Sequence, residues 1–121
     1  MIEMLSDMPE GVTGIRVSGR VGGDELREIG PTMEQLGESG EIRIVEVIED
    51  YAGFGPGGLV QDLKLGLGVL FEHHSAFKRI AIVTDMDWVT HTLHLFAWMV
   101  PGEIKLFGLA DLEQAKQWAA G

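Results

Sequence analysis

The four histidines fall as two close pairs, His73-His74 and His91/His94, and imidazole is the first chemistry this chain offers. Neighbouring residues on a helix point about 100° apart, so His73 and His74 cannot share one ion, whereas the i, i+3 spacing of His91 and His94 sets two rings on one face. Two ligands fall short of a metal centre, a third would have to come from Asp87 or another element, and no HExxH pattern is present. No metal site is expected. Asp85, Asp87 and His91 can be drawn as a base with its orienting carboxylate. An Asp between a strand and a helix is more ordinarily a cap. No G-x-S-x-G elbow occurs, and Ser6, Ser18, Ser39 and Ser75 have no base partner by spacing. A hydrolase built on Asp85, Asp87 and His91 is therefore the minor reading; no catalytic residue and no cofactor are assigned.

Two other stretches suggest binding. The run Gly53-Phe54-Gly55-Pro56-Gly57-Gly58 opens a helix, where free backbone N–H groups can hold an anion. It lacks the Lys and Ser/Thr of a phosphate loop, and Lys64 falls mid-helix, so a turn needing permissive backbone angles is the expectation. Its position at the carboxyl end of a central strand is nevertheless where open α/β sheets place ligands. The helix from about Asp87 to Val100 carries apolar residues, among them Trp88, Val89, Leu93, Leu95 and Phe96, over an arc much wider than one sheet contact needs. A ligand, a second subunit or a neighbouring helix must cover the excess. Asp87, His91, His94 and Trp98 share the opposite, more polar strip. The candidate ligand-binding residues are thus Tyr51, Phe54, Trp88, His91, Phe96 and Trp98.

These residues sit in a regular order of elements. Ile2 to Leu5 and Val12 to Ser18, joined by the turn-rich Asp7-Met8-Pro9-Glu10-Gly11, predict a hairpin. A helical pattern follows from Asp24, its expected N-cap, to Gly37, with a kink or restart at Gly30-Pro31. Ile42 to Ile48 is almost continuously apolar, as a strand covered on both faces requires. After a loop over Asp50 to Gly57 comes a helix from about Gly58 to His74. Its apolar stripe is Leu59, Val60, Leu63, Leu67, Leu70 and Phe71, with Leu65 and Val69 on a second. Ile80 to Thr84 is a further strand. The helix from Asp87 is stopped by Pro101-Gly102, Glu103 to Phe107 forms a strand, and a last helix runs from Asp111 to Ala120. Asp111 and Gln114 have capping-box spacing. The order β-β-α-β-α-β-α-β-α is an α/β fold: a mixed sheet with an N-terminal β-hairpin, three α-β units with parallel strands, and a C-terminal helix.

Composition narrows the partners. A chain of 121 residues fits one domain, 1–121, able to bury roughly two-thirds of its unfolded surface. With no cysteine, a disulfide framework, a thiolate metal site and a cysteine nucleophile are excluded, and a reducing cytoplasm is suited. The N-terminus has no basic, then apolar, leader pattern, and no uncharged run approaches the roughly 18 residues of a membrane span. A net charge of −10 with nine scattered Lys and Arg argues against nucleic-acid partners and anionic lipid surfaces.

Several segments together carry a resemblance. The strand ending in Asp50, the loop Phe54-Gly55-Pro56-Gly57, the helix Asp62-Leu63-Lys64-Leu65-Gly66-Leu67, Arg79-Ile80-Ala81-Ile82-Val83 with Trp88, Pro101-Gly102-Glu103-Ile104-Lys105-Leu106-Phe107, and Leu112-Glu113-Gln114-Ala115-Lys116-Gln117-Trp118 resemble the SpoIIAA-like family. The likeness spans nearly the whole chain. It implies a fold similar to STAS domains and to lipid-carrying CRAL-TRIO domains, with an apolar pocket and no defined activity. In the sporulation antagonists of that kind a Ser just after the Asp that ends the central strand is phosphorylated by a partner kinase. Asp50 to Gly58 here holds no Ser or Thr, and its only side-chain hydroxyl is on Tyr51. The expectation is a non-enzymatic, cytoplasmic STAS-like binding domain for a small apolar or amphipathic, lipid-like ligand or a regulatory protein partner. The alternative is a homodimeric interaction module of anti-sigma-antagonist type without the usual Ser.

Overall fold

The structure is a computed structural model describing residues 1–55, 57–99 and 101–121, with the side chains at 59, 60, 63, 66, 67, 70, 71, 96 and 99 outside the description. The main apolar stripe expected on the second helix, together with Phe96, Val100 and Pro56, therefore lies outside the described residues. The elements are β1 (Ile2–Leu5), β2 (Thr13–Val21), α1 (Gly23–Glu38), β3 (Ile42–Phe54), α2 (Gly58–Glu72), β4 (Phe77–Val83), α3 (Asp87–Phe96), β5 (Glu103–Phe107) and α4 (Leu112–Ala120). Short 3-10 turns follow α2 and α3 and precede α4. The five strands lie in sequence order, β1 antiparallel to β2 and the others parallel. This is the α/β mixed sheet that the element order implied.

Strands that always step the same way across a sheet, joined by right-handed crossovers, put every crossover helix on one face. Accordingly α1, α2 and α3 share a face with Ile15, Ile44 and Ile82, through Ile29 and Met33 of α1, Leu65 and Val69 of α2, and Val89 and Leu93 of α3. The other face is left to α4, whose Ala115 and Ala119 are fully buried against Val45, Val47, Ala81 and Val83. Small residues there let α4 lie close to β3 and β4. Two arginines on the sheet hold its C-terminal end, where carbonyls lack helical partners. Arg43 donates to the Ala119 carbonyl at 2.9 Å and Arg79 to that of Trp118 at 2.8 Å, with the Arg79 guanidinium 5.1 Å from the Trp118 ring centre. Lys116, almost wholly covered, reaches Glu113 at 3.0 Å and Asp7 at 3.3 Å, tying the β1–β2 connection to the helix.

Four details depart from the sequence reading. First, α1 runs unbroken through Pro31, which forfeits only the bond its nitrogen would donate to the Arg27 carbonyl. Second, its N-cap is Gly22 with no side-chain cap bond, while Asp24 lies in the first turn and pairs with Arg27. A carboxylate there still complements the helix dipole. Third, Asp111 makes no side-chain cap bond either, because the 3-10 turn before α4 already winds the chain through Asp111 N–H to the Gly108 carbonyl, 3.0 Å. Fourth, β3 does not end at Ile48. Positive φ at Asp50 (52°) and Gly53 (102°) shifts its register, so that Tyr51 and Phe54 pair with Gly19 and Val21 of β2. The expected loop is thus largely strand.

Where β3 turns into α2, backbone packing leaves no room for a side chain. A Cβ on Gly58 would lie 2.2 Å from the Val21 carbonyl oxygen, whereas one on Gly68, inside α2, would meet no atom of the described residues within 4 Å. Gly58→Ala should therefore lower the melting temperature markedly, and Gly68→Ala should raise stability by about 0.5–1 kcal/mol through helix propensity. Thermal denaturation of the two variants beside the parent checks both signs.

Candidate functional site

Alternation along β3 sends Ile42, Ile44 and Ile48 to the face beneath α1–α3. Glu46 falls in the same row. In the sheet it is paired with Ile15 of β2 on one side and Ile82 of β4 on the other. A carboxyl thus stands in the middle of an otherwise isoleucine-lined surface. The three helices cover that surface incompletely, and between them and the sheet lies a cavity of about 770 Å3. Apolar side chains from every strand but β5 make its floor, and Leu26, Met33, Leu65 and Leu93 are part of its roof. Its polar side chains are Glu46, Tyr51, Asp62 and Thr92, and none of the described lining residues is Lys, Arg or His.

An aromatic group stands at one end. Tyr51 stacks on Trp88 with ring centres 5.6 Å apart and an angle of 22°, and Phe54 meets Tyr51 edge-on at 6.0 Å. Trp88 is 50% exposed and Phe54 38%, so these rings face both the cavity and solvent. The irregular end of β3 places Tyr51 and Phe54 here, and the first turn of α3 supplies Trp88.

Electrostatics single out the carboxyl on β3. Burial, with a smaller contribution from the charge of Asp62, pushes Glu46 from its ordinary 4.5 up to about 7. No hydrogen bond from the described residues offsets that burial. Desolvation raises Asp62 as well. Burial, then the charges of Asp62 and Glu46, raise Tyr51, which keeps its phenol protonated and able to donate. Because the native state holds the Glu46 proton more tightly than the unfolded chain, the cost of burial is absent below about pH 4.5. It grows as pH rises and is complete above about pH 7, lowering native stability across that range.

Of the residues proposed from sequence, Tyr51, Phe54 and Trp88 line the cavity, while His91 is exposed and outside its lining. Trp98 also stands outside it, 81% exposed, and the Phe96 side chain is not among those described. Asp85, Asp87 and His91 do not converge on it. Asp85 instead accepts the Leu109 N–H at 3.0 Å and anchors the turn before α4, and Asp87 opens α3 without capping it, Met86 being the cap residue. At the glycine run, the Gly55 N–H is used by the Val21 carbonyl (2.7 Å) and the Gly58 N–H by that of Gly55 (3.0 Å), which suits a packed turn. Among the described residues, His73 is a histidine with partners. Its Nε2 lies 3.1 Å from Glu34 and 3.9 Å from Glu72, with the ring packed over Gly37, a link between the C-terminal ends of α1 and α2.

Sequence reasoning missed Glu46, Asp62 and Thr92. The signal for Glu46 was present: in Ile42-Arg43-Ile44-Val45-Glu46-Val47-Ile48-Glu49, period-two alternation puts Arg43 and Glu49 on one face and leaves Glu46 as the lone charge on the other. Asp62 and Thr92 carried no comparable mark, since polar residues on a helix ordinarily face water.

Among the described residues, no helix is long and apolar enough to cross a membrane. No curated protein matches the chain. A crystal structure of an uncharacterized protein from Shewanella loihica PV-4, of the DUF3478 family and with a SpoIIAA-like fold, superimposes with a TM-score of 0.76. It is 24% identical, and the match covers 98% of this chain and 93% of that one. The SpoIIAA-like family model matches residues 12–120, which takes in the four parallel strands, all four helices and the whole cavity floor except β1. The chain belongs to the SpoIIAA-like family.

Proposed function

We propose that this protein is a non-enzymatic, cytoplasmic binding module that takes a small, largely apolar molecule between its sheet and α1–α3. The observation that carries this reading is the cavity itself. Its volume, about 770 Å3, lies within the range of small-molecule sites, and its walls are apolar with a few polar groups facing inward. A protein that only needed stability would fill such a space, because cavity surface forfeits packing. Nor would stability alone favour a carboxyl in the centre of an isoleucine row. The stacked Tyr51 and Trp88 supply a rigid aromatic edge for an apolar guest to pass or rest against. Membership of the family suits a regulatory module of antagonist type. A switch by phosphorylation of a Ser after Asp50 is not part of the proposal, since Asp50 to Gly58 has none.

A neutral apolar dye tests the cavity directly. Nile red should bind the parent protein at one equivalent, and Met33→Trp, which extends a ring from α1 into the space, should weaken it about tenfold while the circular dichroism spectrum is kept. Equal binding by parent and variant, or none by the parent, contradicts the reading.

A second reading rests on the outer side of the Asp87–Met99 segment. Leu95 is 68% and Trp98 81% exposed, and an isologous contact between two copies is a common way to cover such residues. Light scattering at micromolar concentration should then give a dimer for the parent and a monomer for Trp98→Glu. A monomeric parent refutes the dimer and leaves the cavity reading untouched.

A further inference from the structure

We infer that the cavity's ligand carries a protonated amine, or an equivalent organic cation, on an apolar body, the cation seated between Glu46 of β3 and Asp62 of α2. This inference rests on the cavity reading above and names the class of molecule that reading leaves open.

Each element presents a different group to the cavity. β3 contributes the carboxyl of Glu46 and the phenol of Tyr51, α2 contributes the carboxyl of Asp62, and α3 contributes Thr92, whose hydroxyl donates to the Trp88 carbonyl at 2.9 Å. The part of α1 that lines the space, through Leu26, Ile29 and Met33, is apolar. No lining residue from any of these elements brings a positive charge among those described, and the whole chain carries −10. Two acids that line one cavity without a cation repel each other, and each is raised by its surroundings. A guest bearing a carboxylate would add a third negative charge to that pair. Hydrogen-bond donors that are also cationic do the reverse: they satisfy carboxylate oxygens that the described protein groups leave unpaired and cancel the repulsion. The same sign of charge lining a low-dielectric cleft also concentrates cations at its mouth.

A lipid-like carboxylic acid, an ordinary guess for an apolar pocket, is therefore the wrong headgroup for this one. The site should discriminate by charge at one end and tolerate variation along the apolar remainder. Proton linkage adds a signature. A cation stabilises ionised Glu46, so binding near neutral pH expels a proton from it, and affinity climbs as pH rises from about 6 towards 8 across the value of about 7 set by burial. The charge that acts on Glu46 during that change is Asp62 from α2, with Tyr51 of β3 coupled to both acids, while Thr92 of α3 lines the same cavity.

The experiment is isothermal titration calorimetry of the full chain with three probes of equal length, decylamine, decanol and decanoate, each below its aggregation threshold, at pH 6 and pH 8. Decylamine should bind about tenfold or more tightly than decanol at pH 8, and decanoate more weakly than decanol. The amine's advantage should shrink at pH 6, and Glu46→Gln should remove most of it while leaving decanol binding unchanged. Asp62→Asn, an exposed-helix substitution with less risk to folding, should reduce the advantage in the same direction. Decanol binding without an amine preference overturns this inference and keeps the cavity reading. Failure of all three probes to bind overturns both. An amine preference that survives Glu46→Gln and Asp62→Asn places the cation elsewhere and overturns the site assigned here.

Discussion

Everything in this molecule follows from strands laid down in sequence order and all stepping one way. Three right-handed crossovers that advance in a single direction must deliver α1, α2 and α3 to the same face of the sheet. Of the described helices, α4 alone lies on the opposite face, with Leu5, Met8 and Leu109 packed beside it. The two faces solve the covering problem differently. The α4 side is closed by small residues, Ala115 and Ala119 over Ala81, with arginines bonding the helix's final carbonyls. The other side carries longer branched side chains and three helices, and these leave an open space between them that they do not fill.

A carboxyl in the central strand changes what that space is. An isoleucine at position 46 would complete a row with Ile42, Ile44 and Ile48, and hydrophobic burial would favour closing the helices down on it. Glu46 makes closure expensive, since the charge loses water without gaining a partner. The chain tolerates this by holding the proton up to about pH 7. Stability lost at one position is therefore coupled to the state of the cavity: anything that pairs with the carboxylate returns part of what burial withdrew. Binding and protonation are linked through one residue. Buried, perturbed carboxyls are a general mark of functional sites for this reason.

How much of this was legible beforehand differs by element. Strand identity and order could be read, because apolar runs such as Ile42–Ile48 and Ile80–Val83 are short, β-branched and flanked by turn formers. Parallel pairing followed from the helices between them. The extension of β3 to Phe54 was not legible: it depends on left-handed backbone at Asp50, a residue that only sometimes adopts it, and on a register shift against β2. Unbroken passage of α1 through Pro31 reflects tertiary packing, with Ile29 on one side of the proline and Met33 and Leu36 on the other held to the core. At the site, aromatic residues drew notice by type, so Tyr51, Phe54 and Trp88 were named. His91 and Trp98 were named by sharing a helix with Trp88, although they point elsewhere. Glu46 passed unnoticed because a strand counted as continuously apolar conceals the face on which its one charge lies.

The titration of that carboxyl is directly observable. With glutamate carboxyl carbons labelled, NMR across pH 3 to 9 should show one resonance, lost in Glu46→Gln, with a midpoint near 7 and well apart from the other glutamates. A midpoint for Glu46 at the ordinary value of about 4.5 would mean that the group is solvated, and the cavity as described, with its unpaired buried acid, would not exist.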